Sequence, residues 1–416
     1  MKPNRLAALL LGGVLAGGAG LAWAQTITLT PSLAVSEEYD DNILLSSTDR
    51  QSDFVTSVSP GLRLVIKDSP WDVTLAGSAR GVYYASRSEL NSSTDYQNGS
   101  LAVKFQPTPR FTASLTDTFD RSLNSAEVDT ETGIITGRFS SYRNIVTPAV
   151  SYKVNPLTLI GLQYSFDILR SDSPLTQDRD THEAVLSVQR EITPRTSATL
   201  RYTFSRFQIE GSPDRDAHSP RVGLTHALSP TIRLSADAGV LLLESPDGST
   251  EVTPSGMLRY EQDFSQGRFS LAYDRSARVA GLTSVTGVSQ GLRAILTFTP
   301  ARRVTLGLES GVSETDSVGT AEELRQGFIR ATASFTAARD LTLQLDSEVR
   351  ATDSIGRVED FLVYAAGIRL DYRVLRWLSV NAGYRHTRQD DKTGPLDLDR
   401  NVVFLGFTAS TDVRVY

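Results

Sequence analysis

From Glu191 to Phe204 the chain makes a tight turn and then alternates. Ala198, Leu200, Tyr202 and Phe204 fall on one side, and Thr199, Arg201, Thr203 and Ser205 on the other. A period of two marks a strand with one apolar and one polar face. The alternation restarts throughout the chain, as in Ile160, Leu162, Tyr164, Phe166; Ile232, Leu234, Ala236, Ala238, Val240; and Leu378, Val380, Ala382, Tyr384. The interleaved positions are polar: Arg233, Ser235 and Asp237 in one run, Thr342, Gln344, Asp346 and Glu348 in another. No stretch after residue 25 sustains apolar residues at helical spacing.

Tight turns separate the strands in pairs. They fall at Ser69 and Pro70, Pro107 to Pro109, Asn155 and Pro156, Thr193 and Pro194, Ser229 and Pro230, and Thr299 and Pro300. Ser265 to Gly267, Ala338 to Asp340, and Leu375 with Arg376 turn without proline. Proline presets a turn dihedral and glycine permits a positive one. Between these turns lie longer polar linkers, such as 124–137, 171–180, 211–217, 245–249, 316–323 and 389–399. Short turns alternating with long polar loops are the rhythm of an outer-membrane barrel, with periplasmic turns and external loops. The strands run about 10 residues or more, where soluble strands usually run about 5 to 6. The sequence therefore predicts an all-β, antiparallel up-and-down transmembrane barrel. It has about 20 strands, or 18 if one weak unit is misread, with both ends in the periplasm. Lipid cannot satisfy backbone polar groups, so only a closed sheet spans a bilayer as β structure.

Tyr164, Phe166, Tyr202, Phe204, Tyr273 and Tyr384 stand toward the long-loop ends of their strands, where an interfacial girdle is expected. Pro60, Pro148, Pro220 and Pro254 sit inside descending strands. Proline removes a ladder bond, so a bulge is expected at each. Exported barrels usually end in an aromatic in phase with the outward face. Tyr416 is terminal and aromatic, yet Val403, Leu405, Phe407, Ala409, Val413 and Val415 alternate in the other phase, so this assembly signal is imperfect.

Composition narrows the class further. The 416 residues contain no cysteine and carry a net charge of −6, with no basic block of the kind nucleic acid requires. Residues 1–24 read as a secretory signal, with Lys2 and Arg5 ahead of an apolar core from Leu6 to Leu21 and a small-x-small site ending at Ala24. The mature barrel is then expected over 25–416, exported through the periplasm to the outer membrane.

Little in the chain suggests chemistry. His182, His218, His226 and His386 lack metal-ligand spacing, and no Gly-x-Ser-x-Gly elbow or phosphate loop is present. No cofactor, metal site or catalytic residue is expected, although spacing alone leaves open a Ser/His pair formed across strands. Acidic runs such as Asp390 with Asp391 read as solvated loop rather than as ion ligands. The functional candidates are charges that alternation points inward: Arg80, Lys104, Arg201, Arg233, Asp237, Arg293, Glu309, Asp346, Glu348, Arg369, Asp371 and Arg385. Rings of charge set pore selectivity, while charges paired across strands merely fill a wet interior. Their mixed signs give no simple anion or cation preference.

The run Ser36 to Ile43, with Ser52 to Phe54 and Ser57 to Leu64, resembles the opening of the beta-barrel porin type 2 family, in its Tyr-Asp-Asp-Asn-Ile core and strand-internal proline. That resemblance implies an outer-membrane barrel of exopolysaccharide and PEP-CTERM-associated loci, linked to polysaccharide secretion, and supplies no catalytic residues. The expected function is a non-enzymatic pore or conduit in exopolysaccharide export. A general diffusion porin and a barrel-embedded hydrolase or polysaccharide-modifying enzyme are the alternatives. Expected partners are outer-membrane lipid and lipopolysaccharide, the barrel assembly machinery, polysaccharide and periplasmic export components, and no nucleic acid.

Overall fold

The computed structural model describes residues 26–123, 138–173, 176–244, 248–280, 285–317, 323–355, 359–394 and 397–415. Residues 1–24, expected to be a secretory signal, the 124–137 linker and Tyr416 lie outside the described residues. The chain forms one closed antiparallel sheet of twenty strands in up-and-down order, β1 (Thr26–Asp40) to β20 (Leu398–Ser410). A short segment, Val413–Val415, continues the last strand along β1 in the same register. At the level of the lipid-facing belt closure leaves no free sheet edge among the described residues, the condition for a β structure in lipid.

Register divides the side chains into two faces. On one, Leu200, Val222, Leu258, Val312, Ile329 and Leu405 stand exposed, forming a belt of aliphatic groups around the barrel. Aromatic rings bound this belt at both rims. At the short-turn rim Trp71 lies 4.3 Å from Phe105, centroid to centroid. At the other rim three tyrosines find polar partners: Tyr164 with His182 at 2.6 Å, Tyr202 with His218 at 2.7 Å, and Tyr384 donating to Asn401 at 2.7 Å. An amphipathic ring with a satisfied hydroxyl suits the headgroup level. A closed barrel with an apolar belt between two aromatic girdles is an outer-membrane β-barrel.

The strands run from 13 to 17 residues, as in β5 (Phe111–Leu123) and β4 (Ser92–Thr108), whereas about 9 to 11 tilted residues cross the hydrocarbon. The surplus projects on the long-loop side, and there the polarity of the two faces inverts. In β9 (Thr196–Ile209) the outward positions change from Leu200, Tyr202 and Phe204 to Arg206, which pairs with Asp216 at 2.6 Å; the inward positions change from Thr203 to buried Phe207 and Ile209. Water now bathes the outer face, so charge is tolerated there, and apolar groups retreat inward. Several linkers consequently prove shorter than their polarity suggested. The ladder holds from Arg215 in β10 (Arg215–Ala227) and through Asp391 in β19 (Leu378–Asp391), because polar residues pair as strands once outside lipid.

The bulges expected at the four strand-internal prolines do not form. Pro60, Pro148, Pro220 and Pro254 each keep an unbroken ladder with the preceding strand, opposite Leu33, Leu115, Tyr202 and Val240. On the other side pairs are missing: at Pro60, Pro148 and Pro220 the register resumes unchanged, as where β10 passes from His218 opposite Leu242 to Arg221 opposite Gly239, while at Pro254 the next strand has already parted. In an antiparallel ladder a residue's N–H and C=O point to the same neighbour, so proline removes bonds on one side only. Gly239 makes room for this: a Cβ there would lie 1.9 Å from the Pro220 carbonyl oxygen. Register shifts occur instead beside the short turns, between Phe105 and Thr108 across Pro107, and between Phe298 and Ala301 across Pro300.

The seam between first and last strands is fastened at its long-loop end. Arg400 donates from Nε and Nη2 to Oδ2 of Asp40, at 2.9 and 2.6 Å. Asn401 donates from its amide and its side chain to Asp41, at 2.6 and 2.7 Å. Asn42, completely buried, donates to the carbonyls of Asp399 and Ser46 and accepts from the Ser46 amide. The segment Tyr39 to Ile43 is thus a clasp that closes the cylinder.

Candidate functional site: the lumen and its inward hairpin

All twelve sequence candidates share the face opposite the aliphatic belt. Arg80 lies over the Tyr96 ring, 4.2 Å from its centroid, and Lys104 stands opposite Asp72. Most of the others meet in ion pairs. Arg293 reaches Glu309 at 2.6 Å, Arg369 reaches Asp371 at 2.9 Å, and Arg385 reaches Asp346 at 3.7 Å. Arg233 lies 3.8 Å from Glu261, and Arg201 lies 3.7 Å from Asp237. Glu348 is held between Arg330 at 2.6 Å and Arg350 at 2.9 Å. In the pairs of Arg201, Arg233, Arg293, Arg330 and Arg369 the carboxylate sits against the wall and the longer guanidinium is the more exposed partner. Signs that are balanced in sequence therefore become a surface of N–H donors facing the water.

A hairpin that lies inside the wall was not legible as alternation. Strands β12 (Thr250–Phe264) and β13 (Gly267–Ala280) pair only up to Gly256 and Arg275. Above that level β12 stays with β11 (Ile232–Glu244), while β13 continues with β14 (Val285–Ala301) alone. The freed hairpin tucks inside the wall. Ala277 and its partner Val288, in phase with outward Tyr273, pack on the inner-face cluster of Phe207, Ala217, Leu241 and Leu243. Fully burying a leucine contributes about 1.5–3 kcal/mol, and Leu241 and Leu243 are both almost completely covered.

Arg221 pins this hairpin. Its guanidinium donates to the Arg275 carbonyl at 2.9 Å, to Ser219 Oγ at 3.1 Å and to Asp237 at 3.3 Å, and lies 3.8 Å from Asp274. The Arg275 side chain reaches the edge that β12 leaves open, donating to the Pro254 carbonyl at 3.1 Å and to Thr253 Oγ1 at 3.0 Å. Between hairpin and wall lies a cavity of about 700 Å³. It is lined by hydroxyls such as those of Ser114, Ser151, Ser187, Thr203 and Ser205 and by Glu183, Arg201, Arg221, Asp274 and Arg278. Of these only Arg201 was among the sequence candidates. The one sequence signal for the hairpin is the apolar pair Leu241 and Leu243 in the inward phase of β11.

No family model and no curated protein matches the sequence. Solved structures do match in shape. The ferric enterobactin receptor of Pseudomonas aeruginosa in complex with BCV-L6 superposes with a TM-score of 0.55 at 9% identity, over 92% of this chain and 81% of that one. The FrpB iron transporter of Neisseria meningitidis (F5-1 variant) gives 0.53 at 8% identity, over 94% and 83%. At such identities the likeness is one of fold, and it supports an outer-membrane β-barrel rather than the porin type 2 family. The residues that carried that resemblance, Tyr39 to Ile43, have a structural task in closing the barrel.

Proposed function

We propose that this protein is a non-enzymatic outer-membrane conduit for a polar, oxygen-rich solute, with an exported polysaccharide as its cargo. The carrying observation is the inner wall, where exposed guanidinium groups with neutralising carboxylates behind them offer hydrogen bonds at little charge cost. A wall of that kind exchanges bonds with passing hydroxyls and carboxylates without trapping them. The matched structures are a receptor and a transporter, which favours passage over catalysis. The histidine contacts favour it too. His182, His218, His226 and His386 lie on the outer face, and their closest polar partners are tyrosine, threonine and asparagine side chains rather than a serine nucleophile. Among outer-membrane barrels, porins of 16 to 18 strands leave a water channel and 22-stranded transporters hold a plugged lumen. This twenty-stranded wall falls between them, with its own hairpin as the inner element.

A purified, refolded chain in planar bilayers is expected to give a steady conductance. Oligosaccharides added on one side should reduce it, and heat-modifiable gel mobility reports that the barrel is folded. Silent bilayers from folded protein would overturn the conduit. Conductance that is indifferent to saccharides would favour the general diffusion porin, and cleavage of added polysaccharide would favour the enzyme.

A further inference from the structure

We infer that the cavity beneath the β13–β14 hairpin is a binding subsite for a polyhydroxylated carboxylate, of which a uronic-acid sugar unit is the simplest form. This rests on the conduit reading and names the class of solute it would recognise. The acids at the hairpin are already engaged, and Glu183, the other carboxylate in the lining, accepts from Ser205 and faces Arg201 and Arg278. Asp237 accepts from Arg221, and Asp274 accepts from Ser276 Oγ at 2.8 Å and from Arg278 at 3.2 Å. The two outer arginines are not saturated. Arg201 has one carboxylate at 3.7 Å and is 41% exposed; Arg278 makes one bond, to Asp274, and is 63% exposed. Each guanidinium carries five N–H donors in a planar fork that matches a carboxylate.

They belong to different elements, Arg201 to the wall and Arg278 to the hairpin, and both line the one cavity. Around them stand Ser187 and Thr203, whose hydroxyls can both donate and accept, and Ser205, Ser219 and Ser276, which already bond Glu183, Arg221 and Asp274 and keep their remaining capacity for a ligand. A free anion would use only the arginines and a neutral sugar only the hydroxyls; a ligand carrying both groups uses the whole lining. The volume of about 700 Å³ falls in the ordinary range for small-molecule sites, about 300–1,000 Å³. Arg221 positions the site without being free to bind, since its donors hold the hairpin.

Calorimetry on the folded full chain in detergent tests this apart from transport, with galacturonate, galactose and a galacturonate trimer as probes. Galacturonate is expected to bind at least about tenfold more tightly than galactose, the worth of one charge-assisted hydrogen bond. Arg201→Gln and Arg278→Gln should each erode that preference by weakening galacturonate binding more than galactose binding. A trimer binding like the monomer marks a site for free sugar acids; tighter binding marks a site for a polymer. Equal affinity for the two sugars, or a preference that survives both substitutions, overturns the subsite. Binding without conductance would retain it and remove the conduit.

Discussion

Replacing Asp40 by alanine is expected to open the barrel at its seam. The Arg400–Asp40 pair is the most enclosed contact between first and last strands, with side chains 15% and 5% exposed. Breaking a buried pair by removing one partner costs about 3–5 kcal/mol, because the other charge is stranded. Arg400 keeps some contact with lumen water, which favours the lower end. The Asn42 amide also loses Oδ1 of Asp40 as its acceptor at 2.9 Å, worth about 1 kcal/mol. Asp53 stands opposite Asp40, but its carboxylate already accepts from the Ser86 and Phe54 amides. The total is about 4 kcal/mol for Asp40→Ala. The double variant Asp40→Ala, Arg400→Ala strands no charge, and is expected to cost only about 1–2 kcal/mol. Urea titration of barrels refolded in lipid vesicles, read as the fraction with folded gel mobility, measures both. A single variant within about 0.5 kcal/mol of the parent, as for a neutral surface change, would refute the reasoning. So would a double variant worse than the single one.

Two further predictions test the faces and the hairpin. Leu200→Arg, in the lipid-facing belt, is expected to cost about 2–4 kcal/mol in the same titration, while Thr199→Arg, one residue away on the lumen face, should cost much less; equal costs would contradict the assignment of faces. The chain lacks cysteine, so Ala277→Cys introduces a single thiol behind the hairpin; adding Arg221→Ala should speed its labelling by a water-soluble maleimide by about tenfold or more, one charge-assisted bond's worth, and an unchanged rate would show that Arg221 does not hold the hairpin.

The cylinder itself was written in the order of residues. Period-two alternation and the spacing of short turns are local properties, and a strand such as Thr196–Ile209 declares its two faces without reference to its neighbours. Register then carries that declaration around the ring, which is why Arg80, Arg201 and Arg385 share a face although they are far apart in sequence. Three features depended on assembly. Proline effects turned on which neighbour the missing N–H faced, so Pro220 lost bonds on one side and shifted nothing. The motif at Tyr39 to Ile43 acquired its meaning only when residue 400 came round to meet residue 40. The hairpin's inward turn follows from apolar groups of β9, β10 and β11 converging above the lipid, an encounter that no single strand records. Alternation fixes faces because it is a property of one backbone; the seam, the inward hairpin and the exposed arginines are relations between backbones, and they exist only after the sheet has closed.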